Sequence, residues 1–263
     1  MTPIRVAISG ASGRMGQEII NALCREPETE IVGAVELQPA EDLLLLPDGS
    51  GPVPFSADLG YILTDCRPDV LVDFTSAKAT MPAVRIATEH GVNLVIGTTG
   101  LTTDDINEIE RLAKAHGVGA VVAPNFTIGA VLMIHLAKLT AKYLDYAEII
   151  ELHHHLKADA PSGTALSTAK AMVAARGKPF SYPEQGKASA SRGEQIDGVT
   201  LHAVRLPGLM AHQEVLFGGP GQTLRIRHDT INRECYMPGI ILAIREVVNR
   251  QGLVYGLDTL LGL

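Results

Sequence analysis

Between residues 151 and 164 the chain reads Glu-Leu-His-His-His-Leu-Lys-Ala-Asp-Ala-Pro-Ser-Gly-Thr, gathering three histidines, one lysine and a Ser-Gly-Thr turn into fourteen residues. Histidine exchanges protons near neutral pH. Lys157 adds a cation. Gly163 lacks a Cβ and lets a ligand approach the backbone closely, and Thr164 offers a hydroxyl. A helix starting at this turn would leave backbone N–H groups without partners and carry a partial positive charge, which favours anions. Acid–base groups beside a carboxylate-sized anion site predict proton transfer to a small acidic substrate. A metal site is the competing chemistry, since His153 and His155 would share one face of a strand. With no cysteine or further His-x-His pair nearby to complete a ligand set, no metal is expected.

Positioning these groups requires a strand before them and a helix after them. Ala147–Leu152 alternates as a short strand, and the Ala-rich run 165–175 has apolar residues at helical spacing, with Pro161 and Ser162 as a start signal. Ile128–Leu144 is predicted as a long apolar helix buried on much of its surface. Residues 176–198 are polar and rich in Gly, Ser, Lys and Glu and are predicted as a mobile or partner-covered loop. Strands follow at 199–205, 212–217 and 223–228, the last two joined at Gly218-Gly-Pro-Gly221. The central part is therefore expected to be α+β with a mixed sheet.

The first half has another pattern. Ile4–Ser9 is an apolar strand running into Gly10-Ala-Ser-Gly-Arg-Met-Gly16, followed by an amphipathic helix and a second strand, Ile31–Val35, ending at Glu36. That is the order of a dinucleotide-binding βαβ unit, with the acid 20 residues beyond the last glycine positioned for ribose hydroxyls. Strands at 69–74, 93–97 and 119–123 alternate with helices, predicting a doubly wound parallel sheet. Ligands then sit at the carboxyl ends of the strands, where Phe74-Thr75, Gly97–Gly100 and Ala123–Phe126 also fall. Residues 37–60, rich in Pro, Gly and Asp, are predicted as a surface excursion with at most one short helical turn. The last residues are expected to return to this domain.

Composition narrows the partners. A net charge of −7 and 4% aromatic residues argue against nucleic acid and against an anionic membrane surface. No apolar run approaches the roughly 20 residues that span a bilayer. Cys24, Cys66 and Cys235 are odd in number and widely spaced, which fits reduced thiols in the cytoplasm, and no leader segment is read at the start. A short-chain dehydrogenase would need Tyr-x-x-x-Lys, which no tyrosine here begins. A semialdehyde-type enzyme would need a nucleophilic cysteine, and the three cysteines lie outside the ligand-facing motifs. A non-catalytic nucleotide sensor would have no need of His153 and Lys157.

Gly10–Gly16, Gly97-Thr-Thr-Gly100, Ala123-Pro-Asn-Phe126 and Glu151-Leu-His-His-x-x-Lys-x-Asp-Ala-Pro-Ser-Gly-Thr164 occur in an order that resembles the 4-hydroxy-tetrahydrodipicolinate (dihydrodipicolinate) reductases of the diaminopimelate–lysine pathway. The resemblance implies a Rossmann-type domain at 1–126 and 235–263, a substrate-binding and oligomerisation domain at 127–234, and a homotetramer. It implies that NAD(P)H reduces a small dicarboxylate, with His153 as general acid/base and Lys157 as second proton donor. His154, Gly163 and Thr164 are implied in substrate binding. Gly10, Ala11, Ser12, Gly13, Arg14, Met15, Glu36, Gly97, Thr98, Thr99, Ala123, Pro124, Asn125 and Phe126 are implied in cofactor binding. Some members place a basic residue after the acid at the end of the second strand to hold a 2′-phosphate. Leu37 stands there here, so NADH is expected to be preferred, with NADPH accepted through Arg14. Residues 230–233 do not align clearly, and Arg233 is given no role.

Overall fold

The computed structural model describes residues 2–181 and 190–263. The chain divides into two compact units, residues 1–128 with 233–263, and residues 129–232.

The first unit opens with β1 (Ile4–Ser9), α1 (Arg14–Leu23) and β2 (Thr29–Val35). It continues through β3 (Leu43–Leu45), β4 (Pro52–Ser56), α2 (Leu59–Cys66), β5 (Val70–Asp73), α3 (Ala77–Glu89), β6 (Asn93–Ile96), α4 (Thr103–His116) and β7 (Gly119–Val122). After the second unit the chain returns as α7 (Met237–Val247), β13 (Gly252–Tyr255) and α8 (Leu257–Leu261). The sheet order is β13-β7-β6-β5-β1-β2-β4-β3. Every pairing is parallel except β3 with β4. Strands covered on both faces must be apolar throughout, and β5 and β7 are buried at every position. The strand order reverses across β1, between β2 and β5, which creates the crevice that such sheets use for ligands. Helix α4 starts on a reciprocal capping box: Thr102 Oγ1 accepts from Asp105 N–H, and Asp105 Oδ2 accepts from Thr102 N–H.

Two segments differ from expectation. Residues 37–60 are not merely a surface excursion; they hold β3, β4 and the start of α2. Pro52 and Pro54 look incompatible with a strand, but they lie opposite Leu45 and Leu43 in an edge hairpin, where a missing donor is tolerated. Phe55 and Ser56 then pair with β2, and Phe55 is buried. The predicted loop 176–198 likewise holds a short 3-10 turn (Ala190–Arg192) and β9 (Glu194–Ile196), and its residues 182–189 lie outside the described ones.

The second unit comprises α5 (Ile128–Thr140), β8 (Tyr146–His153), α6 (Gly163–Arg176), β9, β10 (Val199–Arg205), β11 (Ala211–Gly219) and β12 (Gln222–Thr230). Its sheet is mixed, in the order β12-β11-β8-β10-β9, with β10 parallel to β8 and the other pairs antiparallel. Alternate residues of β8 (Ala147, Ile149, Glu151) and of β11 (Gln213, Val215, Phe217) are buried. The core joins them to Met133 and Ala137 of α5 and to Ala165, Ala169 and Met172 of α6. Helix α5 is more exposed than its apolar sequence predicts, because Leu132, Leu136 and Leu139 face away from this core. Phe217 is fully buried and meets the ring of Phe180 at 6.5 Å between centroids. Replacing it with alanine removes that contact and leaves a cavity. Phe217→Ala is expected to lose about 3–5 kcal/mol of stability in urea denaturation, whereas a loss under about 1 kcal/mol would mean that the site collapses freely around the deletion.

Candidate active site

In the first unit, Gly10 ends β1 with φ +79°, a conformation that L side chains rarely adopt. Its N–H and that of Ala11 donate to Val35 O, locking the turn to β2. A Cβ on Gly16 would lie 2.2 Å from Gly10 O, so only glycine lets α1 pack this closely against the turn. Gly13 caps α1 without a side chain, which leaves the first-turn N–H groups without a side-chain partner. Ser12, Gly13 and Arg14 are exposed, Met15 is half-buried and Ala11 is buried.

Glu36 closes over this turn. Its Oε2 accepts from Ser12 N–H at 3.1 Å and its Oε1 from Leu37 N–H at 2.9 Å. The Leu37 side chain is 85% exposed. A Cβ on Gly97 would lie 2.0 Å from the Phe74 ring, whose other neighbour is Phe126 at 5.6 Å between centroids. Thr98 is buried, and its Oγ1 accepts from Thr75 N–H at 3.0 Å. Both threonines donate to Asp73 Oδ1, Thr75 Oγ1 at 2.6 Å and Thr98 Oγ1 at 3.3 Å. Burial pushes the Asp73 carboxyl above the usual aspartate range despite those hydrogen bonds. Ala123 N–H donates to Ile96 O, and Asn125 Oδ1 accepts from Thr127 N–H at 2.8 Å. Thr99 and Pro124 are exposed, and Phe126 is buried. The Gly10–Gly16 turn, Glu36, and the segments after β5, β6 and β7 thus lie at the carboxyl ends of neighbouring parallel strands.

In the second unit, Glu151 and His153 lie two residues apart on β8 and so share a face. Glu151 is wholly buried. Its Oε1 accepts from Arg205 Nη2 at 2.7 Å and from Ser162 N–H at 3.1 Å. Its Oε2 takes Arg205 Nη1 at 2.8 Å and lies 2.5 Å from His153 Nδ1. Burial alone would raise this carboxyl, but the hydrogen bonds from Arg205 and His153 outweigh it and hold it below the usual glutamate range. Burial also lowers the His153 imidazole below its ordinary value, with Lys157 and Arg205 adding to the effect and the Glu151 hydrogen bond opposing it. Lys157 Nζ donates to both Asp159 oxygens, at 2.7 and 2.8 Å, and Arg205 Nη2 donates to Asp159 O at 2.7 Å. Ser162 caps α6 by accepting from Ala165 N–H at 3.2 Å. Gly163 and His154 are exposed, and His154 O accepts from Lys157 N–H at 3.1 Å.

The two units carry two different kinds of site, a glycine-turned nucleotide cradle and a buried acid–base cluster. Known proteins pair them in the same order. Models described as the N-terminus and the C-terminus of dihydrodipicolinate reductase match residues 4–126 and 129–261. The 4-hydroxy-tetrahydrodipicolinate reductase of Dehalococcoides mccartyi is 56% identical over 263 residues, covering 100% of both chains. That of Moorella thermoacetica is 47% identical over 98% of both chains. The solved structure of a dipicolinate-bound dihydrodipicolinate reductase from Paenisporosarcina sp. TG-14 superposes with a TM-score of 0.88 at 39% identity, covering 98% of this chain and 99% of that one. This chain belongs to the dihydrodipicolinate reductase family.

Membership makes the chain a reductase that uses a nicotinamide dinucleotide, and the first unit fits one. The turn would be filled by a Cβ at Gly16, and an anchored carboxylate stands where ribose hydroxyls are read. Motif reasoning gave no roles to Arg205, Asp159 and Asp73, or to the Glu151 side chain. The signal for Glu151 was present, since a glutamate at an inward strand position needs a partner. The partner, Arg205, lies 54 residues away and is brought there by the register of β10 on β8.

The pH dependence of stability follows from these shifts. As pH falls below about 6.5, the unfolded chain takes up a proton at residue 153 before the folded chain does, so stability declines. Glu151 contributes fully above about pH 4.3, and that contribution is lost as pH falls through its lower folded value. The urea midpoint is therefore expected to fall in two stages on acidification. His153→Gln should shrink the upper stage, which half-buried His228 shares. An upper stage unchanged in His153→Gln would show that His153 does not contribute to it.

Proposed function

We propose that the chain reduces 4-hydroxy-tetrahydrodipicolinate to tetrahydrodipicolinate, in the diaminopimelate–lysine pathway, with His153 and Lys157 handling the proton. One observation carries this reading: the second unit holds an imidazole on a buried carboxylate together with a lysine and a helix start. NAD(P)H, when bound, supplies the hydride. Gly10, Ala11, Ser12, Gly13, Arg14 and Met15 would hold its pyrophosphate, and Glu36 its adenosine ribose. Gly97, Thr98, Thr99 and Ala123–Phe126 would line the rest of its site. Gly163 and Thr164 belong to the first turn of α6, where N–H groups have no intrahelical acceptor, and this supports their binding one substrate carboxylate, with His154 beside them. Lys157 and Arg205 supply positive charge where negative charge develops as hydride arrives. The substrate's hydroxyl leaves as water to give the unsaturated ring that takes the hydride, and His153 or Lys157 then gives a proton to the neighbouring carbon.

The exposed Leu132, Leu136 and Leu139 of α5, spaced one helical turn apart, support self-association, and the chain is read as a homotetramer whose mass light scattering measures. Cytoplasmic localisation is supported by three cysteines present as thiols. No described helix is long and apolar enough to cross a membrane.

Turnover is tested by following nicotinamide oxidation with substrate supplied by a coupled synthase. The double variant His153→Ala/Lys157→Ala is expected to lose at least about 10³-fold in kcat while binding NADH nearly as the wild type does. Parallel loss of binding and turnover would make these residues structural, and retained turnover would remove them from the mechanism. NADH is read as the preferred cofactor, with NADPH accepted, because Glu36 repels a 2′-phosphate and Leu37 offers it no charge. Leu37→Arg is expected to raise the NADPH:NADH ratio of kcat/KM by roughly tenfold, the worth of one charge-assisted contact. An unchanged ratio would show that residue 37 does not read the phosphate.

A further inference from the structure

We propose that Glu151 and Arg205 are positioning residues: together with the Ser162 N–H they fix His153 as its Nδ1–H tautomer and leave Nε2 as the nitrogen that exchanges the proton. The inference rests on the proton role read for His153. Each Glu151 oxygen takes two partners: Arg205 and the Ser162 N–H on Oε1, Arg205 and His153 on Oε2. An ionised carboxylate can only accept, so the hydrogen on the His153–Glu151 bond belongs to Nδ1. The register of β8 and β10 sets Arg205 beside His153, so its guanidinium reaches Glu151 as a two-pronged clamp. The same guanidinium holds Asp159 O, and the Asp159 carboxylate holds Lys157. One buried anion therefore ties together the imidazole, the lysine segment and the first residue ahead of α6.

Packing alone gives no reason for this arrangement. An ion pair with one member wholly buried and the other largely so is usually matched or bettered by apolar residues of the same volume. An ionic clamp placed against the one half-buried imidazole of the cluster fits a demand for orientation, as with carboxylates that hold catalytic or metal-bound histidines.

The experiment has two arms. In the wild type, ¹⁵N–¹H correlation of the histidine rings, with His153→Asn for assignment, is expected to show His153 protonated at Nδ1; protonation at Nε2 overturns the proposal without any variant of the clamp. In kinetics, the amide of Glu151→Gln would present a donor to Nδ1 and turn the ring to the other tautomer. Glu151→Gln should lower kcat on the order of 10²–10⁴-fold, with the KM for NADH within about threefold of the wild-type value. Added to His153→Asn, it should cause little further loss. Arg205→Lys should fall between the wild type and Glu151→Gln. A Glu151→Gln kcat within about threefold of the wild type, or a loss that multiplies fully with that of His153→Asn, overturns the proposal. Full activity in His153→Asn would instead overturn the proton role itself, whereas an inactive His153→Asn beside an active Glu151→Gln removes only the positioning claim.

Discussion

The second unit is organised around the ionised, wholly buried carboxylate of Glu151. Removing a carboxylate from water costs several kcal/mol unless its lone pairs are met. Here four donors from three places meet them: the two Arg205 Nη groups on β10, the ring of His153 on β8, and the Ser162 N–H ahead of α6. Those places are fixed by the sheet, because β8 is its central strand and pairs in parallel with β10 and antiparallel with β11. A slip of one residue in β8 would turn Glu151 to the opposite face, together with Ala147 and Ile149 of the core. Hydrophobic packing and the acid–base cluster thus enforce the same register.

The first unit depends on a constraint of another kind, the closeness of backbones. Gly16 and Gly97 leave no room for a Cβ, against a carbonyl in one case and the Phe74 ring in the other. These contacts draw the turn after β1 and the segments after β5 and β6 into one layer at the strand ends. Asp73 organises the same layer from beneath, taking Thr75 and Thr98 on one oxygen while the other is buried without a partner. Burial raises its carboxyl toward the neutral form, so two threonines on neighbouring segments are held by a group whose charge is itself costly to maintain.

Legibility in the sequence followed how local the cause was. The β1–α1–β2 unit, the Thr102–Asp105 capping box and the Ser162 start of α6 are written in neighbouring residues and could be read directly. The motifs also carried the residues of both candidate sites, because glycine spacing and the His-Lys-Ser-Gly-Thr run lie within single turns of chain. The β3–β4 hairpin was hidden because two prolines signal a loop unless an edge position is known in advance. The exposed leucines of α5 were hidden because composition reports how apolar a helix is, not what covers it. Arg205 was hidden for a third reason. Nothing near it in the chain distinguishes it from other arginines, and its meaning comes from strand register alone.

The electrostatics of the cluster divide the labour on the proposed roles. Burial with Lys157 and Arg205 nearby lowers the imidazole, and Glu151 restores only part of that, so near neutral pH His153 is mostly uncharged. The standing positive charge then comes from Lys157 and Arg205, an ammonium held by Asp159 and a guanidinium held by Glu151. An imidazole kept neutral but oriented is suited to relaying a proton through Nε2, because it gains and loses one at little cost. Were Glu151 absent, the same burial and the same cations would lower the ring further and leave its tautomer unset. The carboxylate therefore does two things that neither cation can do: it fixes which nitrogen reacts, and it keeps that nitrogen basic enough to be recharged.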